Sequence, residues 1–336
     1  MGVRVIYENT NPGTKLIKLR FRNFPDEKVS QQLFEQLSEI VELATGDIVK
    51  ISKNISDKVD LEITGPYNQN SDLYSTPLFK KLKRFGYIVF TNGKHLAKRE
   101  LAAGIQPNKT AKKNIWYTGE NMRPPQGTWD GYLSFDINLP NDRSAYLPLW
   151  FLTSTNLLKS TTKTYWGAEV PTMNELMDGR KFVHRKKRFV ATFIGRAYPI
   201  RMHAIEVLNQ IGRIDIFGAA SRNQIKTPYK LSNKYKFVMC FENDIYPGYV
   251  TEKPFEAYLT GAIPLYYGFD SSGYLNSKSI VNLLDFKNMN EWANYIDELN
   301  NSNKMFKEVY EQPILLKKPS LNKTLNLIRN ILEIYP

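Results

Sequence analysis

The chain is poor in the residues that form covalent or metal-held frameworks. Its 336 residues include one cysteine, Cys240, and three histidines, His95, His184 and His203. A single cysteine excludes a disulfide within the chain and a cysteine zinc site, and the histidines show neither HxH nor HExxH spacing. We therefore expect no histidine or cysteine metal centre. Cys240 lies in an apolar run, where a small buried core residue is a better interpretation than a nucleophile.

Long hydrophobic runs are also missing. No segment contains the roughly eighteen uninterrupted apolar residues that a membrane helix needs. The first residues, MGVRVIYENTNPGTK, lack the apolar core of a signal peptide. The sequence therefore predicts a cytoplasmic protein without an integral membrane segment.

The charge is strongly positive, at +13, with 46 Lys and Arg against 33 Asp and Glu. Such a balance fits nucleic acid, an anionic membrane surface, or an enzyme that handles diphosphate-linked substrates. The basic residues are dispersed apart from HRKKR at 184–188, and the aromatic residues fall mostly inside apolar runs. Nucleic-acid binding would require basic and aromatic residues clustered on one surface, so we expect no nucleic-acid partner.

Alternating apolar runs and amphipathic segments predict an α/β protein with two Rossmann-like domains, since the length exceeds what one core usually holds. Predicted strands lie at 15–24, 47–51, 59–63, 87–91, 115–118, 189–194, 214–217, 235–241 and 280–282, and predicted helices at 29–43, 200–211 and 289–299. We divide the chain into a first domain at 1–165, a connection at 166–187, a second domain at 188–312 and a C-terminal helix at 313–336. That last helix carries one apolar stripe and is expected to pack back on the first domain.

The segment at 235–268, YKFVMCFENDIYPGYVTEKPFEAYLTGAIPLYYG, is the most informative part of the sequence. It reads as strand, polar loop, helix and strand, with Thr251 as a candidate N-cap and Pro254 in the first turn. Ligands of parallel sheets bind at the carboxyl ends of the strands. Free N–H groups at the helix start and the charge of Lys253 favour an anion there.

The same residues resemble a known family. CFEN followed by YVTEK at this spacing is similar to the signature of the α1,3-fucosyltransferases, especially the bacterial ones. Three further segments share the resemblance, at 113–151, 188–218 and 279–296, whereas the first hundred residues offer no comparable match. The resemblance implies a GT-B-like fold, in which the two Rossmann-like domains face a central cleft, and transfer of fucose from GDP-fucose to a glycan acceptor with inversion.

The resemblance also implies roles for individual residues. Glu120, in YTGEN after a predicted strand, matches the position of the proposed general base, and a placed carboxylate suits that task. Two cations at predicted helix starts, Arg201 and Lys253, match positions that hold the donor diphosphate. Asn243, Tyr249 and Glu252 match donor-binding positions, although Tyr249 could equally pack under its loop. Arg196 is a weaker donor-binding candidate, because the family commonly has an uncharged polar residue near it.

A metal-dependent transferase of the GT-A class would carry a DxD motif, which is absent. Asp60 and Glu62 flank Leu61 in a predicted strand, where period two places both on one face that we expect to be solvated. We therefore predict no required cofactor, with a divalent cation as at most a stimulant. Two alternatives stay open: the same chemistry with another GDP- or UDP-linked sugar, and a sugar-nucleotide-binding protein without turnover.

Overall fold

The computed structural model describes residues 14–25, 27–67, 105–124, 128–182, 186–218 and 234–334. The strand predicted at 87–91 lies outside these residues. Within them the chain forms two parallel sheets, as the predicted α/β class requires.

The first sheet has the strand order β2-β1-β3-β4-β5-β6, and every pairing in it is parallel. Its strands are β1 (Leu16–Arg22), β2 (Ile48–Ile51), β3 (Val59–Thr64), β4 (Ala111–Thr118), β5 (Gly131–Ser134) and β6 (Ser144–Tyr146). Helix α1 (Glu27–Thr45) covers one face, because Leu37, Ile40 and Val41 recur at helical spacing and are fully buried.

One expectation for this sheet is wrong. Asp60 is partly exposed, but Glu62 is completely buried and does not face solvent. The reason is a pair of arginines on the neighbouring strand: Arg20 Nη2 lies 2.6 Å and Arg22 Nε 2.5 Å from the Glu62 carboxylate. A buried carboxylate needs such partners, and the register of β1 against β3 supplies them.

The second sheet has the order β11-β10-β9-β7-β8 and is also parallel. Its strands are β7 (Arg188–Phe193), β8 (Ile214–Phe217), β9 (Tyr235–Met239), β10 (Ile263–Tyr266) and β11 (Val281–Asn282). The chain order reverses between β7 and β9, which are adjacent although β8 lies between them in sequence. In open parallel sheets this switch point is where a crevice forms at the carboxyl ends of the strands.

The remaining described helices are α2 (Leu149–Thr153), α3 (Met173–Met177), α4 (Pro199–Leu208), α5 (Lys253–Leu259), α6 (Met289–Asn301), α7 (Asn303–Tyr310) and α8 (Asn322–Ile331). Helix α8 contacts α1, β5 and β6, so the end of the chain packs on the first sheet. Ile328 is fully buried there, and Leu325 and Leu332 are partly buried. Among the described residues, no helix combines the length and apolar content needed to cross a bilayer.

The two sheets share a continuous apolar core. Trp150 of α2 stacks on Phe255 of α5, with ring centroids 4.5 Å apart and planes 20° apart. Tyr146 of β6 stacks on Tyr274, with centroids 6.1 Å apart. These contacts place the carboxyl end of the first sheet opposite that of the second.

Candidate functional site

A cavity of about 360 Å³ lies where the two sheets face each other. Its walls come from the ends of β4, β7, β8 and β9, from the starts of α4 and α5, and from the segment just before α3. The lining residues are Glu120, Tyr165, Trp166, Thr192, Phe193, Ile194, Gly195, Arg201, Gly218, Met239, Cys240, Phe241, Asn243, Glu252 and Lys253. The cavity therefore occupies the β7/β9 switch point, where parallel sheets bind ligands.

Arg201 presents a buried positive charge to this cavity. It lies in the first turn of α4, which starts with Pro199, and it is only 6% exposed. Its guanidinium donates to the backbone oxygen of Phe241 at 2.7 Å and to Asn243 Oδ1 at 3.0 Å. It also donates to the backbone oxygen of Arg196 at 3.3 Å. Because all three acceptors are neutral, the charge of Arg201 is held in place without being neutralised, which suits an incoming anion.

Lys253 has different surroundings, because it is paired with a buried acid. Its Nζ lies 2.9 Å from Glu242 Oε2 and donates to Thr251 Oγ1 at 2.8 Å. Glu242 is fully buried and also accepts from the Thr251 amide and from the Tyr266 hydroxyl. Burial would lower the pKa of Lys253, but the charges of Glu242 and Glu252 outweigh it and raise that pKa. Lys253 is thus a fixed ammonium whose charge Glu242 largely balances.

The expected cap of α5 is wrong. Thr251 does not occupy the N-cap, because the helix begins at Lys253 and Glu252 stands at the capping position. The Thr251 hydroxyl instead donates to the Glu242 carboxylate at 2.8 Å. The Thr251 oxygen accepts from the Lys253 ammonium at 2.8 Å, and its bond from the Lys253 amide is long, at 3.5 Å.

Glu120 reaches the cavity from the opposite side. It follows β4 in a turn that Thr118 fixes, since the Glu120 amide donates to Thr118 Oγ1 at 3.1 Å and the Thr118 hydroxyl donates back to the Glu120 oxygen at 2.9 Å. Glu120 is half-buried, and it is near enough to Lys253 for its charge to contribute to the raised pKa of that lysine. One acid from the first sheet therefore shares a cavity with the two cations of the second.

Asn243 and Glu252 also line the cavity. Asn243 is oriented by its bond from Arg201, and Glu252 is 7% exposed. Burial raises the pKa of Glu252, and Lys253 offsets only part of that effect. Both side chains offer hydrogen bonds to a polyhydroxylated ligand.

Two predicted site residues do not line the cavity. Tyr249 is 1% exposed and packs edge-on against Phe135, with ring centroids 4.9 Å apart. Both interpretations of Tyr249, packing and donor binding, stay predictions. Arg196 is exposed, and its backbone oxygen accepts from Arg201. Its pKa is raised, chiefly by a hydrogen bond with Tyr198, and the charge of Glu120 adds to this shift.

The loop that carries Tyr249 also fastens the two halves together. The guanidinium of Arg123 lies 3.1 Å from the ring centroid of Tyr246, and the Tyr246 hydroxyl donates to the Asp136 carboxylate at 3.2 Å. Gly248 has a φ of +82°, and a Cβ there would lie 2.7 Å from the Phe135 oxygen. Glycine is thus required for the close approach between this loop and the first sheet.

Sequence reasoning missed several members of the site. Glu242 is the middle residue of the FEN motif, yet a role as partner of Lys253 depends on a contact across the loop. Tyr165 and Trp166 fall in the stretch read as a domain end and connection, where no periodic signal marked them. The Cys240 thiol lines the cavity wall but is buried, and burial raises its pKa, as suits a packing residue.

Within the described part of the chain, no group of three or more His, Cys, Asp or Glu side chains is placed to hold a metal ion. The prediction that no metal is required is a matter for measurement.

Comparisons with known proteins agree on one family. Residues 183–312 match the model of glycosyltransferase family 10 (fucosyltransferase) C-term. The alpha-(1,3)-fucosyltransferase FucT of Helicobacter pylori is 29% identical over 305 residues, which are 78% of this chain and 60% of the relative. The 4-galactosyl-N-acetylglucosaminide 3-alpha-L-fucosyltransferase FUT6 of Pongo pygmaeus is 23% identical over 207 residues, 57% of this chain and 52% of the relative. The chain thus spans somewhat over half the length of these relatives.

A solved structure shows the fold. The crystal structure of an alpha1,3-fucosyltransferase with GDP-fucose matches with a TM-score of 0.63 at 22% identity, covering 98% of this chain and 94% of that one. The match confirms the predicted GT-B-like arrangement, in which two Rossmann-like domains face a cleft.

Proposed function

We propose that the chain is an α1,3-fucosyltransferase that transfers fucose from GDP-fucose to a glycan hydroxyl with inversion, in keeping with the match of residues 183–312 to the glycosyltransferase family 10 (fucosyltransferase) model and with the similarity to the Helicobacter pylori enzyme. The observation that carries the proposal is the shared cavity, lined by Glu120 from the first sheet and by Arg201 and Lys253 from the second.

The two halves of the reaction fit the two sides of this cavity. The Glu120 carboxylate takes the proton of the acceptor hydroxyl, whose oxygen attacks the anomeric carbon on the face opposite the diphosphate. The bond from that carbon to the diphosphate oxygen breaks, GDP leaves, and the new glycosidic bond has inverted configuration. A positioned carboxylate contributes roughly 10² to 10⁴ in rate to such a step.

The cations stabilise the charge that develops on the departing diphosphate. Arg201 offers a guanidinium charge to the phosphate oxygens, because three of its N–H groups are held by neutral carbonyl oxygens that leave this charge unbalanced. Lys253 adds a point charge that it shares with Glu242. Asn243 and Glu252 then offer hydrogen bonds to the hydroxyls of the donor.

The proposed donor and acceptor are taken from the relatives. GDP-fucose is bound in the matching crystal structure, and a 4-galactosyl-N-acetylglucosaminide is the acceptor in the name of the Pongo pygmaeus relative. Independence from metal and a cytoplasmic location complete the proposal as predictions from the sequence.

The test combines binding and turnover. GDP, GDP-fucose and UDP are compared by thermal shift, and fucose transfer to the 4-galactosyl-N-acetylglucosaminide disaccharide is measured for the wild type, Glu120→Gln, Arg201→Ala and the control Glu298→Gln. Glu298 is an exposed acid of α6, remote from the cavity.

We expect GDP to stabilise the wild type more than UDP does. Glu120→Gln should keep the GDP shift and lose transfer by at least about 10²-fold, because it removes the base and preserves shape. Arg201→Ala should lose the GDP shift, and Glu298→Gln should behave like the wild type. A larger response to UDP would overturn the donor, and full transfer by Glu120→Gln would overturn the mechanism.

A further inference from the structure

Tyr165 is the exposed aromatic side chain of the cavity. It lines the same space as Glu120 and Lys253, yet 72% of it is accessible to solvent. Arg201 and Glu252, by contrast, are 6% and 7% exposed. Tyr165 therefore stands at the mouth of the cavity, whereas the groups suited to the donor lie inside it.

The backbone that carries Tyr165 is a short, tightly bonded hairpin at 163–169. The Thr164 amide donates to the Ala168 oxygen at 3.0 Å, and the Gly167 amide donates to the Thr164 oxygen at 2.9 Å. Lys163 and Glu169 face each other across it as an antiparallel bridge and form an ion pair. Tyr165 is thus exposed on a segment whose backbone is held by hydrogen bonds.

A buried carboxyl group anchors this hairpin to the second sheet. Glu256 of α5 is 0% exposed, and it accepts from the Thr164 hydroxyl at 2.9 Å and from the Trp166 amide at 3.2 Å. The next ring, Trp166, packs on Phe193 at the end of β7, with centroids 4.7 Å apart. Thr164 and Trp166, the two neighbours of Tyr165, are therefore held by the second sheet, whereas the Tyr165 ring stays exposed.

The Tyr165 phenol is close to the charged groups of the cavity. Partial burial raises its pKa, and the Glu252 carboxylate adds to that effect while Lys253 opposes it. The ring consequently spans from the charged groups of the donor side to solvent, with one apolar surface and one polar tip.

We propose that Tyr165 is an acceptor-binding residue, whose ring stacks on the apolar face of the acceptor sugar that presents its hydroxyl to Glu120. Aromatic surfaces with a few placed polar groups are the usual way in which pockets orient a ligand. Since the donor diphosphate belongs with the buried cations, the second substrate has to enter past the exposed ring. This inference deepens the proposed function and rests on it.

The test separates acceptor binding from donor chemistry. Wild type, Tyr165→Ala, Tyr165→Phe and the control Glu169→Gln are compared in two assays: hydrolysis of GDP-fucose without acceptor, and transfer to the 4-galactosyl-N-acetylglucosaminide disaccharide. Glu169 is exposed and belongs to the same hairpin, so its variant disturbs the ion pair without touching the ring.

Tyr165→Ala should raise the KM for the disaccharide at least about fivefold, the value of one lost aromatic contact. The rate and donor KM of acceptor-free hydrolysis should change much less than the acceptor KM does. Tyr165→Phe should retain most of the acceptor affinity, and Glu169→Gln should retain all of it. A general loss of structure would instead move donor hydrolysis as well.

The outcomes are distinct. If the wild type transfers fucose and Tyr165→Ala shows the same acceptor KM, or loses donor hydrolysis in parallel with transfer, this inference is overturned while the proposed function stands. If the wild type neither hydrolyses GDP-fucose nor transfers to the disaccharide, the proposed function fails and the role of Tyr165 fails with it.

Discussion

Variants of the ion pair between Lys253 and Glu242 can distinguish its contribution to the free energy of unfolding from its contribution to GDP binding. Lys253→Met removes the ammonium and leaves Glu242, which is 0% exposed, without its cation. Breaking a buried pair from one side typically costs about 3 to 5 kcal/mol. Glu242 keeps its bonds from Thr251 and Tyr266, so we expect the lower end, about 3 kcal/mol.

The double variant Lys253→Met, Glu242→Gln should recover about 2 kcal/mol of that loss, because it removes the buried charge together with its partner. The glutamine can still accept from the Thr251 amide. GDP binding should not recover, since both variants lack the ammonium that we propose to contact the phosphate. Stability would thus return without function.

Thermal denaturation measures the first effect, and a loss of about 3 kcal/mol corresponds to roughly 4 °C in Tm for a chain of this size. The increase in Tm on adding GDP measures the second. Lys304→Met is the matched control, because Lys304 is an exposed lysine of α7. If Lys253→Met melts with the control, or if the double variant is no more stable than the single one, the assignment of a coupled buried pair is refuted.

Three further predictions follow from other contacts. Burial raises the pKa of Glu256 from 4.5 to about 8, so this group stabilises the fold at low pH, and its contribution is lost as the pH rises from about 5 to 8. Glu256→Gln should therefore flatten the dependence of Tm on pH over that range. An unchanged pH profile of Tm would contradict the raised pKa. Gly248→Ala should lower the free energy of unfolding by about 2 kcal/mol in urea denaturation, because the new Cβ would clash with the Phe135 oxygen at a φ that disfavours alanine. Gly195→Ala is the control and should change that free energy little, because the space around its Cβ is open. Turnover of GDP-fucose should survive EDTA, with added Mg²⁺ as a stimulant only, and complete loss on chelation would show a required metal.

The second domain was predictable because its signals are local. The strand, loop and helix at 235–268 follow each other without a gap, and the βαβ order fixes which strand ends meet. The site residues came from the resemblance to the family's motifs, and five of the seven lie on one cavity: Glu120, Arg201, Asn243, Glu252 and Lys253. Their roles in catalysis and binding stay predictions until the variants are measured.

The failures share a different cause, namely partners that lie far away in sequence. Glu62 was expected to face solvent, because the two-residue repeat of a strand shows only which residues share a face. Whether the Glu62 carboxylate can be buried depends on its partners Arg20 and Arg22, which lie on another strand. Thr251 was expected to cap α5 because a cap is a local rule, yet Glu242, nine residues earlier, binds its hydroxyl. Tyr165 lies in a segment without apolar periodicity, and only Glu256, ninety residues later, explains why that segment is fixed.

The charges around the cavity constrain how a diphosphate could be held. If Glu120, Glu242 and Glu252 were all ionised, they would outnumber the two cations before any phosphate arrived. Glu242 is paired with Lys253, and the proposed base, Glu120, has to be a carboxylate to take a proton, so Glu252 is the acid that we expect to become protonated. Its pKa is already raised by burial, and a diphosphate beside it would raise that pKa further. We therefore expect Glu252 to take up a proton as the donor binds, which calorimetry would detect as a buffer-dependent heat of GDP binding that disappears in Glu252→Gln.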